Sequence, residues 1–140
     1  MSYVAVDPSF ALNWVIEKER NPVSEQLRAE IEAEVFWPIT IPLFWYELRS
    51  VLIVNERRGK IGQGRTPYLL QDMRLMGIEE RRSPSDSAVI RLAYRHGLTG
   101  YDASYLALAI EERAILATND KLLAQTALLE GLELRTMLAL

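Results

Sequence analysis

The chain has 140 residues, of which 49% are hydrophobic and 25% charged, a balance expected of one globular domain able to bury a core without staples. It contains no cysteine and a single histidine, which excludes a disulfide framework, a thiolate zinc site, a cysteine nucleophile and a polyhistidine metal cage. The net charge of −3 has the wrong sign for a protein whose whole surface binds nucleic acid, so any such contact must be local.

The first residues, Met1 to Pro8, have neither the basic start nor the long apolar stretch of a signal peptide, and no run approaches the roughly 20 apolar residues that span a bilayer. A cytoplasmic protein with no membrane contact is expected. Tyr3-Val4-Ala5-Val6 reads as a strand, and Asp7-Pro8, an N-cap followed by proline, starts a helix to about Lys18. A second helix is expected from near Pro22 through Ile31, then a short strand over Glu34-Val35-Phe36-Trp37, ending before Pro38. A long helix follows from Pro42 to Arg58, and another from Pro67 to Met76. Gly77-Ile78-Glu79 opens a weak strand, and Ser83-Pro84-Ser85-Asp86 opens a helix that stops at Gly97.

His96 stands in the last turn of that helix, where a cation before a glycine is ordinary helix termination. The short Leu98 to Tyr101 run is read as strand-like, leading to Asp102 and an apolar helix ending near Arg113. Ala114-Ile115-Leu116-Ala117 reads as a buried strand, Thr118-Asn119-Asp120 starts the last helix, and Leu132 to Arg135 supplies an edge strand. Strands alternating with helices imply a three-layer α/β/α sandwich around a mainly parallel sheet, with residues 1–140 as a single domain.

In such sheets ligands bind beyond the carboxyl ends of the strands, where Asp7, Asp102 and Asp120 are expected. Each of them is also in place to cap a helix, the ordinary use of an aspartate at such a junction. The spacing favours more than capping for two of them. Tyr105, Leu106 and Ala109 follow Asp102 by three, four and seven residues, and Leu123, Ala124 and Ala127 follow Asp120 likewise, so each acid begins a core-facing stripe. Glu47 interrupts the apolar face formed by Leu43, Val51 and Val54. A carboxylate there needs either a buried arginine or a metal ion. Oxygen-only ligation favours Mg²⁺ or Mn²⁺ over zinc or copper. Between Asn55 and Arg74, five basic residues against Glu56 and Asp72 leave a local charge of +3, and Arg57, Arg58, Lys60 and Arg65 form either an RNA-contacting rim or a solvated face.

Four blocks occur in order along almost the whole chain: Val4 to Ser9; Pro42 to Leu48 with Ser50-Val51-Leu52 behind it; Tyr101 to Ala109; and Ala117 to Leu123. In this set the chain resembles PIN-domain proteins, and more narrowly the VapC-type ribonuclease toxins of prokaryotic toxin–antitoxin pairs. The resemblance implies a PIN-like nuclease domain in which Asp7, Glu47, Asp102 and Asp120 are the catalytic, metal-holding acids, with Ser9, Thr118 and Asn119 orienting carboxylates, water or phosphate. It implies Mg²⁺-dependent or Mn²⁺-dependent endonucleolytic hydrolysis of RNA by water, leaving a 5′-phosphate and a 3′-hydroxyl. It further implies a homodimer and a cognate antitoxin whose carboxyl-terminal segment occupies the active-site groove. Phe36, Trp37, Phe44, Trp45 and Tyr46 suit that groove or the dimer contact, with core packing as the ordinary alternative. Pro8 and Asn119 depart from the usual residues without removing an acid. Two other readings compete: a noncatalytic PIN-like binding or scaffolding module, and a phosphoryl-transfer domain in which Asp7 is phosphorylated.

Overall fold

Val4, Ala5 and Val6, the last residues of the first strand, are buried with no alternation between faces, as are Ile115, Leu116 and Ala117. Strands of this kind belong to the middle of a parallel sheet covered on both sides. The computed structural model describes residues 2–140 and bears this out; Met1, the first residue of the amino-terminal stretch read above, lies outside the described residues. The elements in chain order are β1 (Ser2–Val6), α1 (Pro8–Val15), a 3₁₀ turn (Glu17–Glu19), α2 (Pro22–Glu32), β2 (Phe36–Thr40), α3 (Leu43–Arg57), α4 (Thr66–Arg74) and β3 (Glu79–Glu80). They continue with α5 (Asp86–His96), α6 (Gly100–Glu112), β4 (Ile115–Ala117), α7 (Lys121–Leu129) and β5 (Leu134–Arg135).

All strand pairs are parallel and the order is β3-β2-β1-β4-β5. The helices group as the order requires: α1 packs on α2 and α3, and α3 on α4, whereas α6 packs on α5 and α7. Right-handed crossovers put the first group on one face and the second on the other, which gives the three-layer sandwich. The chain builds outward from β1 to β3 and then returns to the other side of β1. The strand order therefore reverses between β1 and β4, and a crevice opens at their carboxyl ends.

Several boundaries differ from the sequence reading. The first helix ends at Val15 rather than near Lys18, because Ile16 turns extended and buries its side chain while the chain passes into the exposed 3₁₀ turn. β2 lies further along than expected and contains Pro38. The ladder to β3 begins only opposite Ile39, so Pro38 stands outside the paired part of that flank and its missing N–H costs the sheet little. Leu98 to Tyr101 is not a strand. Gly97 reverses the chain in a left-handed conformation, and the Thr99 hydroxyl accepts the Asp102 N–H at 3.1 Å, so that α6 starts at Gly100. Among the aromatics, Phe44 and Trp45 are core residues, whereas Trp37 and Tyr46 are exposed. No helix among the described residues is long and apolar enough to cross a membrane.

Gly97 has φ of +67°, and a methyl group there would meet no atom within 4 Å. Gly97→Ala should therefore destabilise the protein only through backbone strain, by about 1–2 kcal/mol. Chemical denaturation measures this, and an unchanged midpoint would show that the turn between α5 and α6 does not need its left-handed residue.

Candidate active site

Asp7 closes β1 and caps α1, its Oδ1 accepting the Phe10 N–H at 3.2 Å. The same oxygen accepts the Ser9 hydroxyl at 2.6 Å, and Oδ2 accepts the Thr118 hydroxyl at 2.7 Å. Each hydroxyl has one proton, and both are committed to Asp7. The 3.2 Å approach of Ser9 to Thr118 is therefore a contact with no proton left to share. Their lone pairs serve the loop after β4: Ser9 Oγ accepts the Asn119 N–H at 2.8 Å and Thr118 Oγ1 accepts the Asp120 N–H at 3.1 Å. Two hydroxyls thus stitch the β4–α7 loop to the Asp7 carboxylate. Asn119 extends the network outward, donating to the Ser9 carbonyl at 3.3 Å and accepting the Met137 N–H at 2.9 Å.

Asp7 is only 3% exposed. Its burial pushes the carboxyl up to about 6, against the pull of the three hydrogen bonds, and the negative charge of Asp102 pushes the same way. Asp102 stands in the first turn of α6, half-buried, and Asp120 caps α7 by accepting the Leu123 N–H at 2.9 Å. Burial and then the charge of Asp120 raise the carboxyl of Asp102. Glu47, in the second turn of α3, is raised by burial and by Asp102, against the lowering effect of a 2.6 Å hydrogen bond from the Tyr105 hydroxyl. Asp102 is thus close enough to act on two of the other acids and to be acted on by the third.

None of the four acids forms an ion pair with a lysine, arginine or histidine among the described residues. The arginine partner that would have explained Glu47 blandly is not there. Among the described residues no three acidic or histidine side chains yet converge on one point closely enough to hold an ion. The donor set nevertheless suits a hard divalent cation. It is all oxygen and buried or half-buried, and it is built of like charges, of which Asp102 raises Asp7 and Glu47 and is itself raised by Asp120, a repulsion that a cation would relieve.

The basic residues lie elsewhere. Arg57, Arg58 and Lys60 are exposed at the far end of α3, where Arg57 is ten positions past Glu47, roughly 15 Å along the helix axis. Arg65 precedes α4 and lines a concavity of about 240 Å³ with Trp14, Arg20, Arg28 and Met73, and none of the four acids borders it. Sequence reasoning missed three residues at the acidic edge. Thr99 places Asp102, and a threonine before a glycine and an apolar helix was a readable cap. Thr40 is fully buried and ties the end of β2 to the Val6 carbonyl at 3.0 Å, which no local pattern marks. Tyr105 was visible only as one more apolar position of α6.

The PIN domain family matches residues 4–129, which is most of the chain and includes all four acids. The chain belongs to the PIN-domain family. PIN domains are typically nucleases, bind RNA and usually hold divalent metal ions, which supports a nuclease-type hydrolase. Among solved structures, that of PAE2754 from Pyrobaculum aerophilum matches this PIN domain with a TM-score of 0.69 at 24% identity, over 95% of this chain and 83% of that chain, a likeness of fold. No curated protein matches the sequence.

The burial of Asp7 has a consequence for stability. With a folded value near 6 against 3.8 for an ordinary aspartate, the protonated Asp7 carboxyl contributes stability that is fully present only well below pH 3.8 and is lost as pH rises through 6. Asp7→Asn removes that titration while keeping most of the hydrogen-bond ring. In metal-free buffer its stability relative to wild type should therefore rise by about 3 kcal/mol between pH 3 and pH 7, at roughly 1.4 kcal/mol per unit. Urea midpoints at the two pH values read the difference, and a gap that does not change with pH would contradict the burial of an unpaired carboxylate.

Proposed function

We propose that residues 1–140 act as a single PIN-like nuclease domain that hydrolyses RNA phosphodiester bonds, with Mg²⁺ or Mn²⁺ held by Asp7, Glu47, Asp102 and Asp120. The observation that carries this reading is four carboxylates from four separate elements, electrostatically linked at one edge of the sheet, with no basic partner among the described residues. Stability alone gives no reason for such an arrangement. A divalent ion bound there would lower the pKa of the attacking water and neutralise charge on the phosphoryl and leaving oxygens.

The chain's own residues supply position and charge. Ser9 and Thr118 fix both oxygens of Asp7, and the Thr99 cap fixes the backbone that carries Asp102. Asp120 has one oxygen committed to the α7 cap and the other without a hydrogen bond among the described residues. The raised carboxyls of Asp7, Glu47 and Asp102 hold protons more tightly than usual, so ion binding must displace protons and weakens as pH falls below about 6. Water is the nucleophile, and the products carry a 5′-phosphate and a 3′-hydroxyl.

The biological reading is a VapC-type toxin that works in the cytoplasm as a homodimer and is held in check by a cognate antitoxin whose carboxyl-terminal segment lies in the active-site groove. The four sequence blocks and the family match support it. The exposed Arg57, Arg58 and Lys60 stand far enough from the acids to meet RNA several nucleotides from the cut rather than at it. The noncatalytic alternative leaves unexplained why none of the four acids has a basic partner among the described residues. A phosphorylated Asp7 is disfavoured because that carboxylate is 3% exposed and hydrogen-bonded at both oxygens.

Asp7→Asn and Asp102→Asn should each lower RNA cleavage by at least about 100-fold with the circular-dichroism spectrum unchanged, as loss of a group acting on transition-state charge does. Chelation by EDTA should stop the wild-type reaction and Mn²⁺ should restore it. Full activity in both variants, or in EDTA, would refute the proposal.

A further inference from the structure

Glu47 differs from the three aspartates in how it is held. Asp7 and Asp120 are fixed by caps and Asp102 by a short side chain on a capped first turn, but Glu47 is a long, half-exposed side chain in the body of α3. Left to itself it would sample many rotamers, and ordering it on a cation would cost conformational entropy. Its one hydrogen-bond partner among the described residues is Tyr105, whose hydroxyl donates to Oε1 at 2.6 Å, while Oε2 takes none. That distance is the short range of an O–H donor on a charged acceptor.

Tyr105 is itself held by its surroundings. Its side chain is 1% exposed and is among the largest buried side chains of the core. It follows Asp102 by one helical turn on the same face of α6, so one helix brings an acid to the site and, three residues on, the hydroxyl that holds another acid. Because α3 and α6 belong to different helix layers, this bond also links the two layers at the acidic edge.

We propose that Tyr105 is a positioning residue for Glu47: its buried hydroxyl fixes the carboxylate's orientation and thereby sets the affinity of the acidic site for a divalent cation. The inference rests on the nuclease reading above and deepens it. The ordinary alternative is that a buried tyrosine needs some acceptor and takes the nearest one. That alternative predicts a stability change and nothing else.

The test is calorimetric titration of the full chain with Mn²⁺ alone, without RNA, for wild type, Tyr105→Phe, Glu47→Gln and the double variant. Tyr105→Phe keeps the ring in place and should weaken Mn²⁺ binding about 10-fold to 100-fold, the range seen when the outer partner of a metal ligand is removed. On the Glu47→Gln background the same change should cause no further loss, because the two residues act through one contact. Glu47→Asp, at a half-exposed position that does not threaten folding, withdraws the carboxylate from the hydroxyl and should weaken binding in the same range. Unchanged Mn²⁺ affinity in Tyr105→Phe, or an equal loss on both backgrounds, would overturn the positioning role while leaving the nuclease reading intact. Wild-type protein that shows no saturable Mn²⁺ binding would overturn both.

Discussion

The carboxylate of Asp7 is buried where β1 gives way to α1, and the surrounding edge of the sheet is arranged around keeping it there. A lone carboxylate out of water either takes up a proton or gathers donors. Here it gathers three, from Ser9, Phe10 and Thr118, and still binds its proton more tightly than an exposed aspartate does. The three donors do structural work at the same time. One begins α1, and the other two align the loop after β4, so the spacing between the carboxyl ends of the two central strands is set through this one group.

Capping and the acidic site are therefore not rival explanations of the same residues. Asp7 and Asp120 each cap a helix with one oxygen, as any aspartate at a strand-to-helix junction can, and the reversal of strand order brings the two caps side by side. Asp102 works the other way round: Thr99 does the capping, which leaves both Asp102 oxygens uncommitted to backbone. The helix N-termini favour negative charge at all three positions, which partly offsets the mutual repulsion of the acids. The remaining repulsion is what a divalent cation would remove.

Much of this was legible in the chain. The doubly buried strands at Val4 to Val6 and Ile115 to Ala117 show as unbroken apolar runs, and Asp7-Pro8 marks a helix start by chemistry that needs no tertiary context. Glu47 stands out because it interrupts an apolar face. What failed did so for identifiable reasons. Leu98 to Tyr101 has the composition of a strand, and only the glycine turn before it and the Thr99 cap make it a helix entrance. Pro38 argued for ending β2 early, and it is tolerated because β3 is too short to reach it. Tyr105 was hidden because an aromatic on an apolar stripe looks the same whether its hydroxyl is idle or engaged; its partner lies 58 residues away on another helix. The basic cluster reads as one patch in sequence, yet α3 carries most of it away from Glu47.

The acidic edge holds together as a site only if these four side chains share one cation. Crystals equilibrated with Mn²⁺ and measured at the manganese absorption edge test it most directly, since anomalous density locates the ion without assumptions. A peak between Asp7 and Asp102, with Glu47 or Asp120 drawn in to ligate it, is expected of a shared cation site. Saturating Mn²⁺ with no peak at that edge of the sheet, or a peak bound only elsewhere on the molecule, would contradict it.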